Sequence, residues 1–236
     1  MQGNSRSIST NQQDIHDKLP EIVLRHQRSV NQKPIQPHTE AAFQQISAWL
    51  ATFEQRPVIL DSCCGIGEST WRLAEQYPDA LVIGIDKSAV RINKHGKQDE
   101  YQGTEKGQHA DDSEVISGGS NYRVIRADVI DFWRLVRAAN WPVTKHFLLY
   151  PNPYPKSAQV QKRWHASASL QDVLAIGGEL TVRSNWQIYI EEFATALTLC
   201  AKSPRVSQVE QGVAITPFER KYWNSGQQSW QVNCSL

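Results

Sequence analysis

The chain has no apolar run approaching the roughly 18 residues that cross a bilayer. Its first residues, MQGNSRSISTNQQD, also lack the apolar core of a secretion signal. No membrane association is expected, and a cytoplasmic location is. Cysteine is sparse: Cys63, Cys64, Cys200 and Cys234 match no metal-ligand spacing, and the adjacent pair cannot easily bridge to each other. Reduced, mostly buried thiols and no metal are expected. Net charge is only +1, so nothing draws the whole chain to nucleic acid, and any such binding must come from a local patch. There is no internal repeat. No Lys-Ser or Lys-Thr follows the glycines near position 65, which excludes a P-loop, and Thr70 stands where a Gly-x-Gly-x-x-Gly fingerprint needs its last glycine.

What is present is a strand, a turn and a helix in series. Val58, Ile59 and Leu60 form an apolar run ending in Asp61, followed by a turn with Gly65 and Gly67 and then a helical pattern through Thr70, Leu73, Ala74 and Tyr77. Glycines let backbone approach a ligand closely, and a helix start offers free N–H groups. The next apolar run, LVIGID, ends in Asp86, about 20 residues on, where a carboxylate can accept from two ribose hydroxyls. A third run, YRVIRAD, ends in Asp128, which could equally cap the following helical segment VIDFWRLVRAA. Three strands that each end in a carboxylate point to a nucleoside-bearing ligand.

At 236 residues and 40% apolar content, the chain suits one domain with a buried core. Residues 1–37 read as a flexible polar arm with one apolar island at Ile22–Leu24, and residues 38–236 as the folded domain. Ala42, Phe43, Ile46, Leu50 and Phe53 predict a helix over 39–53. Residues 96–121 are polar, glycine-containing and aperiodic, and read as a surface insertion. Runs at 146–151 and 179–185 predict further strands, with a helix face of Trp186, Tyr189, Ile190, Phe193, Leu197 and Cys200 after them. Strands alternating with helices imply a mainly parallel sheet, and the tail segments 206–215 and 230–236 suit an antiparallel edge hairpin.

Four motifs in order carry a resemblance: DSCCGIGEST, YPNPYPK, SNWQIY and TPFERKYW. Over about residues 40–236 the chain resembles the class I S-adenosylmethionine-dependent methyltransferases, and within them the bacterial tRNA (guanine-N7-)-methyltransferases. The resemblance implies an α/β, Rossmann-like fold with a seven-stranded, mainly parallel sheet. It implies S-adenosylmethionine as cofactor and tRNA as partner, in a monomer or homodimer. Asp61, Gly65, Gly67, Asp86, Asp128 and Asn152 stand at cofactor positions, Asn152 also at the catalytic one, and Lys156, Asn185, Thr216, Phe218 and Glu219 at substrate positions. Asn152 and Asn185 replace carboxylates of the family pattern, and Cys63 replaces its first glycine. Two alternatives accompany that reading: an exocyclic amine of adenine or cytosine as acceptor, suggested by Asn152-Pro153-Tyr154, and a non-catalytic cofactor-binding module. Arg25, Arg28, Lys156, Lys162 and Arg163 form the candidate RNA-contacting cluster.

Overall fold

The computed structural model describes residues 4–29, 31–95 and 115–236. In chain order the elements are α1 (Leu19–Gln27), α2 (Pro37–Leu50), β1 (Val58–Ser62), α3 (Glu68–Gln76), β2 (Leu81–Asp86), α4 (Ala89–Ile92), β3 (Val115–Gly118), β4 (Tyr122–Arg126), α5 (Val129–Ala139), β5 (Val143–Leu149), α6 (Leu170–Ile176), β6 (Glu179–Ser184), α7 (Gln187–Leu199), β7 (Arg205–Gln208), α8 (Pro217–Trp223) and β8 (Trp230–Ser235). The chain divides into two compact units, Pro34–Phe147 and Met1–Lys33 with Leu148–Leu236.

In the unit Pro34–Phe147 the strand order is β3-β4-β2-β1-β5. β1 and β2 are buried along their whole length, as parallel strands covered on both faces must be. They pair in parallel with Asp61 opposite Gly84, and β2 pairs in parallel with β4 so that Asp86 lies opposite Arg126. The alternation of strand and helix read from the sequence is therefore what forms. α2 buries Thr39, Ala42 and Ile46 at helical spacing. Its Phe43 stacks on Trp141 at 4.8 Å and meets Phe132 edge-on at 5.5 Å. Of the insertion expected at 96–121, residues 96–114 lie outside the described residues. The remainder carries β3, an antiparallel edge strand beyond the seven expected, with Val115 opposite Ile125 and Gly118 opposite Arg123 of β4 and an irregular register between them.

In the other unit β8 lies between β6 and β7, antiparallel to both, with Val232 opposite Val182 and Val206. The expected tail hairpin is present, and the connection between its strands contains α8. α7 buries Tyr189, Ile190, Phe193, Ala196 and Leu197 on the stripe read from the sequence. The segment expected to be a flexible arm is instead folded in. α1 starts with Pro20 in its first turn, buries Leu19, Ile22 and Val23, and packs on α7 and on the 3-10 turn Trp164–Ala166. Burying three apolar residues at helical spacing offsets the ordering entropy that a purely polar arm could not.

Candidate active site

All the predicted cofactor residues except Asn152 lie in the unit Pro34–Phe147, and the predicted substrate residues all lie in the other. The glycine turn follows β1 with left-handed backbone at Cys63 (φ 65°), Gly65 (φ 65°) and Gly67 (φ 79°). Gly67 opens α3 in that conformation, and a Cβ there would come within 2.7 Å of His95 Nδ1. A Cβ on Gly65 would meet no atom within 4 Å, so its turn faces open space.

Asp61 is fully buried and half satisfied. Its Oδ2 accepts from Ser69 Oγ at 2.6 Å and Thr70 Oγ1 at 2.7 Å, while Oδ1 has no hydrogen-bond partner. Burial pushes its carboxyl up to about 6, opposed by the two hydroxyls and reinforced by nearby Asp86. Gly84, which the sequence reading passed over, makes this possible: a Cβ there would lie 2.2 Å from Thr70 Oγ1. An isolated glycine inside a strand pattern was the available signal.

Asp86 is also buried, but its oxygens are engaged. Oδ1 accepts from the Ser88 N–H at 2.8 Å, and Oδ2 from the Gly65 N–H at 3.0 Å and Arg91 Nη1 at 3.1 Å. The Arg91 side chain is 53% exposed, so the buried Asp86 carboxylate is paired with a cation that reaches it from solvent. Asp128 caps α5, its Oδ1 accepting from the Ile130 and Asp131 N–H groups at 3.0 and 3.2 Å. The thiols play no nucleophilic part here. Burial pushes Cys63 up to about 12 and Cys64 higher than its ordinary range, so both stay protonated. Among the described residues no His, Cys, Asp or Glu cluster could hold a metal.

In the other unit Asn152 is exposed, and its Oδ1 accepts from the Tyr154 N–H at 3.2 Å. Tyr150 and Tyr154 both adopt left-handed backbone, with φ of 54° and 45°. Lys156 is exposed, and Lys162 Nζ lies 5.8 Å from the Tyr154 ring centroid. Asn185 Nδ2 donates to Gln227 Oε1 at 2.8 Å. Thr216 caps α8, its hydroxyl accepting from the Glu219 N–H at 2.9 Å, while Phe218 is 45% exposed and stacks on Tyr222.

Two residues are placed differently from the expectation. Glu219 is completely buried. Its Oε1 accepts from Tyr150 OH at 2.8 Å and Arg183 Nη1 at 2.9 Å, and its Oε2 from the Ile215 N–H at 2.8 Å, so its oxygens are taken up by the protein interior. Arg163, expected in the RNA-contacting cluster, is buried against Glu192 and cannot reach a phosphate, whereas Arg25, Arg28, Lys156 and Lys162 are exposed.

A bare, buried carboxylate oxygen beside an open glycine turn fits a ligand with an ammonium group and a backbone-hugging body, which is what the methionine end of S-adenosylmethionine offers. Comparison with known proteins agrees. A curated tRNA (guanine-N(7)-)-methyltransferase from Mycolicibacterium gilvum is 27% identical over 91% of this chain and 78% of its own length. Its namesake from Psychromonas ingrahamii is 24% identical over 75% and 70%. The fold is similar to that of a 16S rRNA (adenine(1408)-N(1))-methyltransferase from Catenulisporales acidiphilia, at TM-score 0.53 and 16% identity over 82% of this chain and 91% of that one. No helix among the described residues is long and apolar enough to cross a membrane. The family described as putative methyltransferases matches residues 55–232, and the chain belongs to it: a Rossmann-like, S-adenosylmethionine-dependent methyltransferase.

Proposed function

We propose that this chain transfers a methyl group to N7 of guanine in transfer RNA. The observation that carries the reading is the buried Asp61 oxygen without a partner, at the end of the first strand of a chain whose relatives bear that activity in their names. When bound, S-adenosylmethionine supplies a methyl group on a positively charged sulfur. Asp61 would hold the ligand's ammonium group, and Asp86, beside the half-exposed Arg91, would hold its ribose hydroxyls. Guanine N7 carries a free lone pair, so no general base is needed and positioning dominates, which can contribute about 7 to 11 kcal/mol of barrier reduction. On the acceptor side Asn152 and the exposed Phe218 hold the base and Lys156 a phosphate, with aromatic stacking worth about 1 to 3 kcal/mol per base. The protein works as a soluble cytoplasmic enzyme.

The uncharged Asn152 favours a second reading, transfer to an exocyclic amine of adenine or cytosine, since an amide oxygen accepts from such an amine without demanding a charged partner. Mass spectrometry of nucleosides, after incubating unmodified tRNA with the protein and S-adenosylmethionine, separates the two. The expected product is 7-methylguanosine, and methylated adenosine or cytidine would replace the first reading with the second. Restoring both carboxylates (Asn152→Asp with Asn185→Asp) should raise 7-methylguanosine formation about tenfold, the worth of one charge-assisted hydrogen bond. Failure to bind either S-adenosylmethionine or its demethylated product in calorimetry would overturn both readings.

A further inference from the structure

Residues 5–16 lie upstream of the segment that matches the family, yet they reach both stretches that carry the two amides. Thr10 Oγ1 donates to the Pro155 carbonyl at 2.5 Å, and the Ser157 N–H donates to Asn11 Oδ1 at 3.0 Å. Gln12 is buried. Its Nε2 donates to Glu192 Oε1 at 2.6 Å, and its Oε1 accepts from Arg163 Nη2 at 3.0 Å. The His16 N–H adds a bond to Glu192 Oε1 at 3.0 Å. Further upstream, Gln227 Nε2 donates to the carbonyls of Ser5 and Arg6 at 3.0 and 3.2 Å, and its Oε1 holds Asn185.

The centre of this arrangement is Arg163. Its Nε and Nη2 fork onto the Tyr154 carbonyl at 3.2 and 3.0 Å, its Nη1 pairs with Glu192 Oε2, and its guanidinium lies 4.9 Å from the Trp186 ring centroid. Burial works to raise the Glu192 carboxyl, but the hydrogen bonds and charges of His165 and Arg163 outweigh it and hold it at about 2, so Glu192 stays a carboxylate. Tyr154 is the residue whose left-handed backbone turns the chain beside Asn152, and Asn152 Oδ1 accepts from its N–H. Arg163 thus grips the carbonyl of the same residue whose N–H fixes the Asn152 side chain. Left-handed backbone at a tyrosine costs roughly 1 to 2 kcal/mol and persists only where its surroundings impose it.

We propose that residues 5–16 are part of the acceptor site, with Gln12 and Arg163 as positioning residues that set the backbone of 152–157 and with Gln227 setting the side chain of Asn185. The inference rests on the proposed acceptor role of those amides. It makes the upstream segment a support that sets the acceptor-side residues and touches neither cofactor nor acceptor itself.

Two variants of the full chain test it. Arg163→Lys keeps a cation opposite Glu192 but cannot fork onto the Tyr154 carbonyl. Thr10→Val combined with Asn11→Ala removes only contacts made by exposed side chains, which leaves folding intact even if Arg163→Lys does not fold. With saturating S-adenosylmethionine and an unmodified tRNA transcript, kcat should fall about tenfold in Arg163→Lys and about threefold in the double variant. The cofactor Kd should stay within twofold, and amide exchange should quicken over 152–157 alone. Wild-type kcat together with wild-type exchange in both variants would overturn the inference. A wild-type protein that methylates no tRNA overturns the proposed function instead, while selective loosening of 152–157 in the variants would still support this one.

Discussion

The two units handle buried carboxylates in opposite ways. In Pro34–Phe147, Asp61 is left with a buried oxygen that no group of the protein satisfies, and burial pushes its carboxyl up to about 6. In the other unit, Glu219 is equally buried but receives the Tyr150 hydroxyl, the Arg183 guanidinium and the Ile215 N–H. Buried polar atoms are nearly always satisfied, so the open oxygen of Asp61 calls for a partner from outside the chain, while the three donors on Glu219 tie it to the fold. Burial alone does not distinguish a binding residue from a brace. At these two carboxylates the unmet acceptor is the difference, and Asp86, whose partners include a half-exposed arginine, lies between them.

Removing the brace should have the largest effect. Glu219→Ala leaves Arg183 and the Tyr150 hydroxyl facing an emptied interior, and breaking a buried charged pair from one side costs about 3 to 5 kcal/mol. Chemical denaturation should show that loss. A change below about 1 kcal/mol would mean the carboxylate is not bracing the fold and would return Glu219 to the list of substrate contacts.

The opposite sign is expected at Asp61. Its carboxyl rises from 3.8 to about 6 on folding, so its contribution to stability is complete below about pH 4 and is lost as pH rises through 6. Each pH unit of that rise is worth about 1.4 kcal/mol, so the ligand-free fold gives up roughly 3 kcal/mol here by pH 7. Asp61→Asn preserves the acceptor for Ser69 and Thr70 and removes the charge. It should therefore stabilise the ligand-free protein at pH 7 by about 1 to 3 kcal/mol and leave it unchanged at pH 4. It should also weaken S-adenosylmethionine about tenfold or more, while in the unchanged protein cofactor affinity should decline as pH falls below 6. A variant with equal stability at pH 4 and pH 7 but unaltered cofactor binding would refute the assignment of Asp61 to the ligand.

The same contrast explains what could be read from the sequence. The strand, glycine turn and helix at 58–77 are local, each residue's role being set by neighbours within a few positions, and that part of the reading matches the structure. The Asp128 cap is local too, and the sequence admitted it as an alternative. The burial of Glu219 and Arg163 was not legible, because their partners come from far along the chain: Tyr150 is 69 residues from Glu219, and Gln12 is 151 residues from Arg163. β3 escaped notice because its short apolar run sits in a polar context. The order of the N-terminal segment had a signal, Leu19, Ile22 and Val23 at helical spacing with Pro20 in the first turn, but the polar composition around it masked the pattern.

The smallest expected effect sits beside Asp61, at Cys63, where the family pattern has glycine and this chain holds a side chain at φ 65°. Left-handed backbone costs a residue with a Cβ about 1 to 2 kcal/mol, whereas glycine adopts it freely and instead costs about 0.5 to 1 kcal/mol through the greater freedom of the unfolded chain. The thiol offers no compensating bond or ionisation, since burial keeps it protonated. Cys63→Gly should therefore stabilise the protein by a net of about 0.5 to 1 kcal/mol, readable as a small rise in melting temperature. The same strain relief lies in the turn that carries Gly65, so cofactor affinity should stay the same or improve slightly. A loss of stability would mean that the Cys63 side chain contributes packing that outweighs its backbone strain. A loss of cofactor affinity at unchanged stability would mean that the strained turn is what presents Gly65 to the ligand.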